Sequence, residues 1–137
     1  MKLVHIVAYV MAFVFIVGET SRRGFGYFSV NATTMFEDYL CGALLLLAAL
    51  FWFKKHKIAP KMMAAAWAYA TGGMFVPFFA HLEAWLRGVT FRADHPHTDI
   101  GSVVLKGVIW AICLTCFILT LQSDDAKNPA DESATSG

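Results

Sequence analysis

The stretch IGSVVLKGVIWAICLTCFILTLQ, residues 100–122, is apolar along almost its whole length and carries a single charged side chain, Lys106. A helix rises ~1.5 Å per residue, so a run of about 20 residues reaches across a ~30 Å hydrocarbon core. Three more runs of this kind occur, and the pattern predicts spans from Leu3 to Glu19, Thr34 to Phe53, Lys61 to Arg87 and Asp99 to Gln122. With 58% hydrophobic and 15% charged residues and a mean hydropathy of +0.56, the composition is that of a chain solvated by lipid. The expected fold is all-α: an integral membrane, antiparallel bundle of four transmembrane helices over residues 1–122, then a disordered polar tail at 123–137.

The net charge of +1, with no basic patch or Gly-rich phosphate loop, excludes nucleic acid as a partner. The expected partners are the lipid bilayer and either another membrane protein or a second copy of this chain. "MK" before the first apolar run also has the form of a cleaved signal peptide. Glu19 with two following arginines, and the lack of a small-x-small cleavage site, favour a retained span. Four spans put both termini on one side. That side collects Lys2, Lys54, Lys55, Lys57, Lys61 and Lys127 against Arg22, Arg23, Arg87 and Arg92, which predicts cytoplasmic termini in a multi-pass protein. The outer side then carries two longer connections, TSRRGFGYFSVNA, expected as a loop in the interface, and GVTFRADHPHT. Asn31-Ala32-Thr33 has the form of a glycosylation triplet but hugs a span.

Small residues set the expected packing. Ala64, Ala68 and Gly72 form one ladder with four-residue spacing, and Gly107, Ala111 and Thr115 form another, so the third and fourth spans are expected to pack together. Pro77 is expected to tilt or bend the third span, because it removes one backbone donor.

Lys106 stands seven residues beyond Asp99, a candidate N-cap, or ~10 Å below the lip of the fourth helix. A bare ammonium in hydrocarbon costs about 3 kcal/mol on insertion scales. Lys106 therefore snorkels to the interface, reaches water or finds an anion. The same end of the bundle holds Glu19, Glu37, Asp38, His81 and Glu83. Thr34-Met35-Phe36-Glu37 fits a capping box, which would occupy Glu37 and leave Asp38 as the partner of Lys106. Glu83 precedes Arg87 by four residues, the spacing of a helical surface pair, and Glu19 can simply mark where the first span enters water. His81 reads either as a hydrogen-bonded interior residue or as a titratable member of a site with Asp38 and Lys106.

Weaker signals lie elsewhere. His95 and His97, flanking Pro96 between Asp94 and Asp99, could project to one side of an extended loop and hold zinc or copper, or form a solvated turn. His5 and His81 belong to opposite ends, which disfavours a shared haem iron. Cys113 and Cys116 form a C-x-x-C pair in the apolar half of the fourth span, with Cys41 expected about a membrane thickness away. Cysteine in such a place behaves mostly as a small hydrophobe. In architecture only, the arrangement resembles the DoxX-like group of small four-helix membrane proteins, some of them associated with quinone-linked or redox complexes. No motif matches residue by residue, and no residue role or cofactor is carried over. Three classes of function remain: a protein that binds or transports a small molecule, ion or lipid through an ionisable pocket in the outer-leaflet half of the bundle; an accessory subunit of a larger membrane complex; or a membrane enzyme acting on a lipid or quinone.

Overall fold

The computed structural model describes residues 2–89 and 99–125, and these are helical almost throughout. Four helices are long and apolar enough to cross a membrane. They are α1 (Lys2–Arg23), α2 (Phe28–Phe53), α3 (Ala59–Arg87) and α4 (Ile100–Asp125). Each packs on the next in sequence, and the ring closes sparsely between α1 and α4. The outward faces are greasy: Leu3, Phe53, Val76 and Leu105 are all at least 60% exposed, a surface that suits acyl chains and not water.

On α1 the buried positions Val4, His5, Ala8, Met11, Ala12 and Phe15 recur three and four residues apart, the spacing of one helical face. This face meets α2 at Gly42. A Cβ there would stand 2.5 Å from Ile16 Cγ1 and 3.1 Å from the Ala12 carbonyl oxygen, so the two backbones approach as closely as glycine permits. Beyond it, Val14–Gly18 forms a π-helical turn. Positions four apart drift by ~40° around an α-helix, and a wider turn cancels that drift. Val14, Gly18 and Arg22 consequently share one side, the side that lines the cavity described below.

The segment TSRRGFGYFSVNA is not the loop expected from the sequence. Thr20–Arg23 completes α1, Phe25–Tyr27 forms a 3-10 turn, and α2 has begun by Phe28. Arg22 and Arg23 both bond Glu19 at 2.9 Å, three and four residues back, which carries the helix past the point where the apolar run stops. Gly24, with φ of 73°, supplies the break. The expected capping box is also corrected. Asn31 is the one non-helical residue within α2 (φ −153°, ψ 82°), and its Oδ1 accepts from the Thr34 N–H at 3.2 Å. Asn31 is therefore the cap of the long apolar portion of α2, and Thr34 and Glu37 lie inside the helix.

Helix α3 buries Met63, Ala66, Trp67, Ala70 and Met74. It runs through Pro77 and ends at Gly88 (φ 63°), where Gly88 N–H bonds the Trp85 carbonyl and Val89 N–H the Ala84 carbonyl, a Schellman closure. Packing of α3 on α4 was expected and is found, with Gly107 of the expected α4 ladder at the contact but other residues on α3. Phe78 lies over Gly107, where a Cβ would meet the ring at 2.8 Å, and Phe75, Phe78 and Phe79 surround Trp110. Ala68 and Gly72 face outward instead, and a Cβ on Gly72 meets nothing within 4 Å. Asp99 precedes α4 as expected, its carbonyl accepting from the Ser102 and Val103 N–H groups.

Candidate functional site

Where α1 ends and α4 begins, the bundle encloses a cavity of about 190 Å³. Its polar wall holds Glu19, Arg22 and Arg23 from α1, Glu37 and Asp38 from α2, and Lys106 from α4. Three acids and three bases leave it formally neutral. The opposite wall is α3 from Tyr69 to Pro77, with Val14, Phe15, Leu105 and Ile109 completing an apolar floor.

Arg23 is the hub. Its Nε bonds Glu19 at 2.9 Å, and its Nη1 lies 3.7 Å from Asp38 Oδ2, an ion pair too long for a hydrogen bond. The three side chains are only 13% (Arg23), 23% (Glu19) and 18% (Asp38) exposed. Arg23 Nη1 is buried with no hydrogen-bond acceptor, so one guanidinium edge in this wall retains unused donor capacity. Glu37 faces the other way around. Its Oε1 lies 3.3 Å from where a Gly73 Cβ would stand, against the turn of α3 in which Pro77 offers the Gly73 carbonyl no N–H. The cavity is therefore lined by a turn with a spare acceptor, and the spare donor of Arg23 is buried beside it. Tyr39 and Thr20 share a hydrogen bond between their hydroxyls, and the Tyr27 ring covers the Arg23 guanidinium at 4.9 Å.

Of the residues singled out from sequence, the cavity brings together Glu19, Glu37, Asp38 and Lys106. Asp38 and Lys106 line the same cavity, and Asp38 has Arg23 as an ion partner. His81 and Glu83 are not among the lining residues. His81 Nδ1 and the Pro77 carbonyl oxygen are 2.6 Å apart, the interior hydrogen bond of the plainer expectation. Glu83 bonds Arg87 at 2.7 Å in the exposed pair that its spacing implied. His95 and His97 lie outside the described residues. Among the described residues, no group of three potential metal ligands forms. Cys41, Cys113 and Cys116 are free thiols buried in one core cluster, which corrects the expected distance between Cys41 and the C-x-x-C pair.

Sequence reasoning missed Arg22, Arg23 and the Tyr69–Gly73 wall. The signal for the arginines was present: Glu19-x-x-Arg22-Arg23 has helical ion-pair spacing, and extending the first helix by one turn would have brought Arg23 to Asp38. Comparison of the chain with protein-family models, curated proteins and solved structures yields no match, so the functional reading rests on this geometry.

Proposed function

We propose that this is a multi-pass membrane protein whose four helices stand antiparallel, with both termini cytoplasmic, and whose charged cavity, in the outer-leaflet half of the bundle, binds or carries a small polar ligand. One observation carries the reading: three acids and three bases from three helices line a single cavity inside a bundle with a greasy exterior. Isolated charges in hydrocarbon cost about 3 kcal/mol each, so six of them in one place are retained for what they do there. A neutral set of opposite charges favours a ligand that itself carries both signs, because a lone cation or anion would meet as much repulsion as attraction. Asp38, Glu37 and Glu19 would face the ligand's cationic group, and Arg23 and Lys106 its anionic group.

The test uses glycerophosphocholine as a water-soluble zwitterionic probe on the purified protein in nanodiscs. Binding that weakens about tenfold or more in both Asp38→Asn and Lys106→Met, and persists in Arg87→Gln, supports the reading. Absence of binding, or indifference to both cavity substitutions, contradicts it. The outward Ala68 and Gly72 surface of α3 favours a second reading, an accessory subunit that receives a partner helix on that face. Purification as a stable lone chain would count against it.

A further inference from the structure

A second cavity lies along the loose seam between α1 and α4. It measures about 330 Å³ and is lined by Val4 and Val7 of α1 and by Val108, Ile112 and Leu119 of α4, among others. Its one hydroxyl, on Thr115, donates to the Ala111 carbonyl at 2.8 Å and so is spent on its own helix. On α4 the groove begins where the cavity ends: Ile109 lines the cavity, while its sequence neighbour Val108 and Ile112, one turn on, line the groove. On α1 the same order holds, with Val14 and Phe15 at the charged end and Val7 and Val4 along the groove.

We propose that the two spaces hold one molecule, a zwitterionic amphiphile with a single hydrocarbon chain, its head group among Arg23, Asp38 and Lys106 and its chain between α1 and α4. From Val108 to Leu119 the groove runs ~16 Å along α4. That length matches an extended hydrocarbon chain lying along the seam, with apolar side chains on both sides of it. The absence of polar demand along the groove and the balanced charge at its end match the two halves of such a molecule. Helix contacts are sparsest at this seam, so the chain can slide in sideways from the bilayer without unpacking α2 or α3. Tethering the head to a chain already dissolved in the membrane raises its effective concentration at the cavity, an advantage that a free zwitterion lacks.

The proposal rests on the charged cavity being a binding site, and its test separates the two. Lysophosphatidylcholine carrying a photoreactive group near the end of its chain is bound to the full-length protein in nanodiscs and irradiated, and the labelled peptides are mapped. Labelling is expected on α1 near Val4 and Val7 and on α4 near Ile112 and Leu119, suppressed by excess lysophosphatidylcholine far better than by lysophosphatidylglycerol, whose head is anionic. Ala111→Trp, at an outward position of the groove distant from the charges, should cut labelling about tenfold and leave glycerophosphocholine binding unchanged. Labels scattered over all four helices, or unchanged in Ala111→Trp, while glycerophosphocholine still binds, would overturn this proposal and leave the cavity's reading standing. Loss of glycerophosphocholine binding from the parent protein would remove both.

Discussion

Arg23 decides how the charges at this end of the bundle are arranged. It reaches Glu19 within its own helix and Asp38 in the next, so truncating it uncovers two acids at once. Removing one member of a fully buried pair costs about 3–5 kcal/mol, whereas replacing both by apolar groups is often neutral. The pair here keeps some exposure, and Arg23→Met or Asp38→Leu alone should cost about 1–3 kcal/mol. The double variant should lose less than the sum of the two, read as the thermal midpoint in detergent, with Glu19 still missing its Arg23 bond. Strictly additive losses would mean that the two side chains do not interact. The sequence made Asp38 and Lys106 conspicuous because each is a charge in an apolar run. It hid Arg23, which sits just past the end of such a run and looks like an ordinary loop residue until the helix is seen to continue.

At the level of the helices, number and order follow from the apolar runs and were legible, whereas the extension of α1 and α2 beyond those runs was not. Which small residues meet a neighbour was not, because a four-residue ladder of small side chains occurs on more than one face of α3 and its sequence does not say which face is turned inward. Ala66 and Ala70 are buried, whereas Ala68 and Gly72 look out. Gly42, with no small-residue ladder to mark it, makes the closest backbone approach to α1. Two substitutions of the same chemistry should therefore differ in sign. Gly42→Ala drives a methyl into Ile16 and the Ala12 carbonyl and should destabilise by about 1–3 kcal/mol. Gly72→Ala meets no neighbour and should stabilise by about 0.5–1 kcal/mol through helix propensity. Unfolding midpoints in the same detergent compare them, and equal effects would contradict the packing. The π-helical turn was likewise invisible in sequence, since Val14–Gly18 contains nothing but residues an α-helix accepts. Its effect appears only at the cavity, where it keeps Val14, Gly18 and Arg22 on one side.

Taken whole, the molecule gathers acids and bases around one cavity at one end of the bundle and leaves its loosest seam beside them. On the proposed reading, both features serve a ligand shared between water and lipid. The proposed antiparallel arrangement predicts that Ser29→Cys and Lys55→Cys, in a chain with Cys41, Cys113 and Cys116 replaced, react with an impermeant thiol reagent from opposite sides of a sealed vesicle. Reaction from the same side would exclude it. The central proposal, a charged cavity open to water within a lipid-facing shell, is tested most directly by cysteine accessibility at comparable depth. In the same background, Ile109→Cys lines the cavity and Val76→Cys is 63% exposed on the outer face of α3. Within a bilayer, a charged, water-soluble methanethiosulfonate should modify Ile109→Cys and spare Val76→Cys. Modification of Val76→Cys with Ile109→Cys inert, or of neither, would contradict the account.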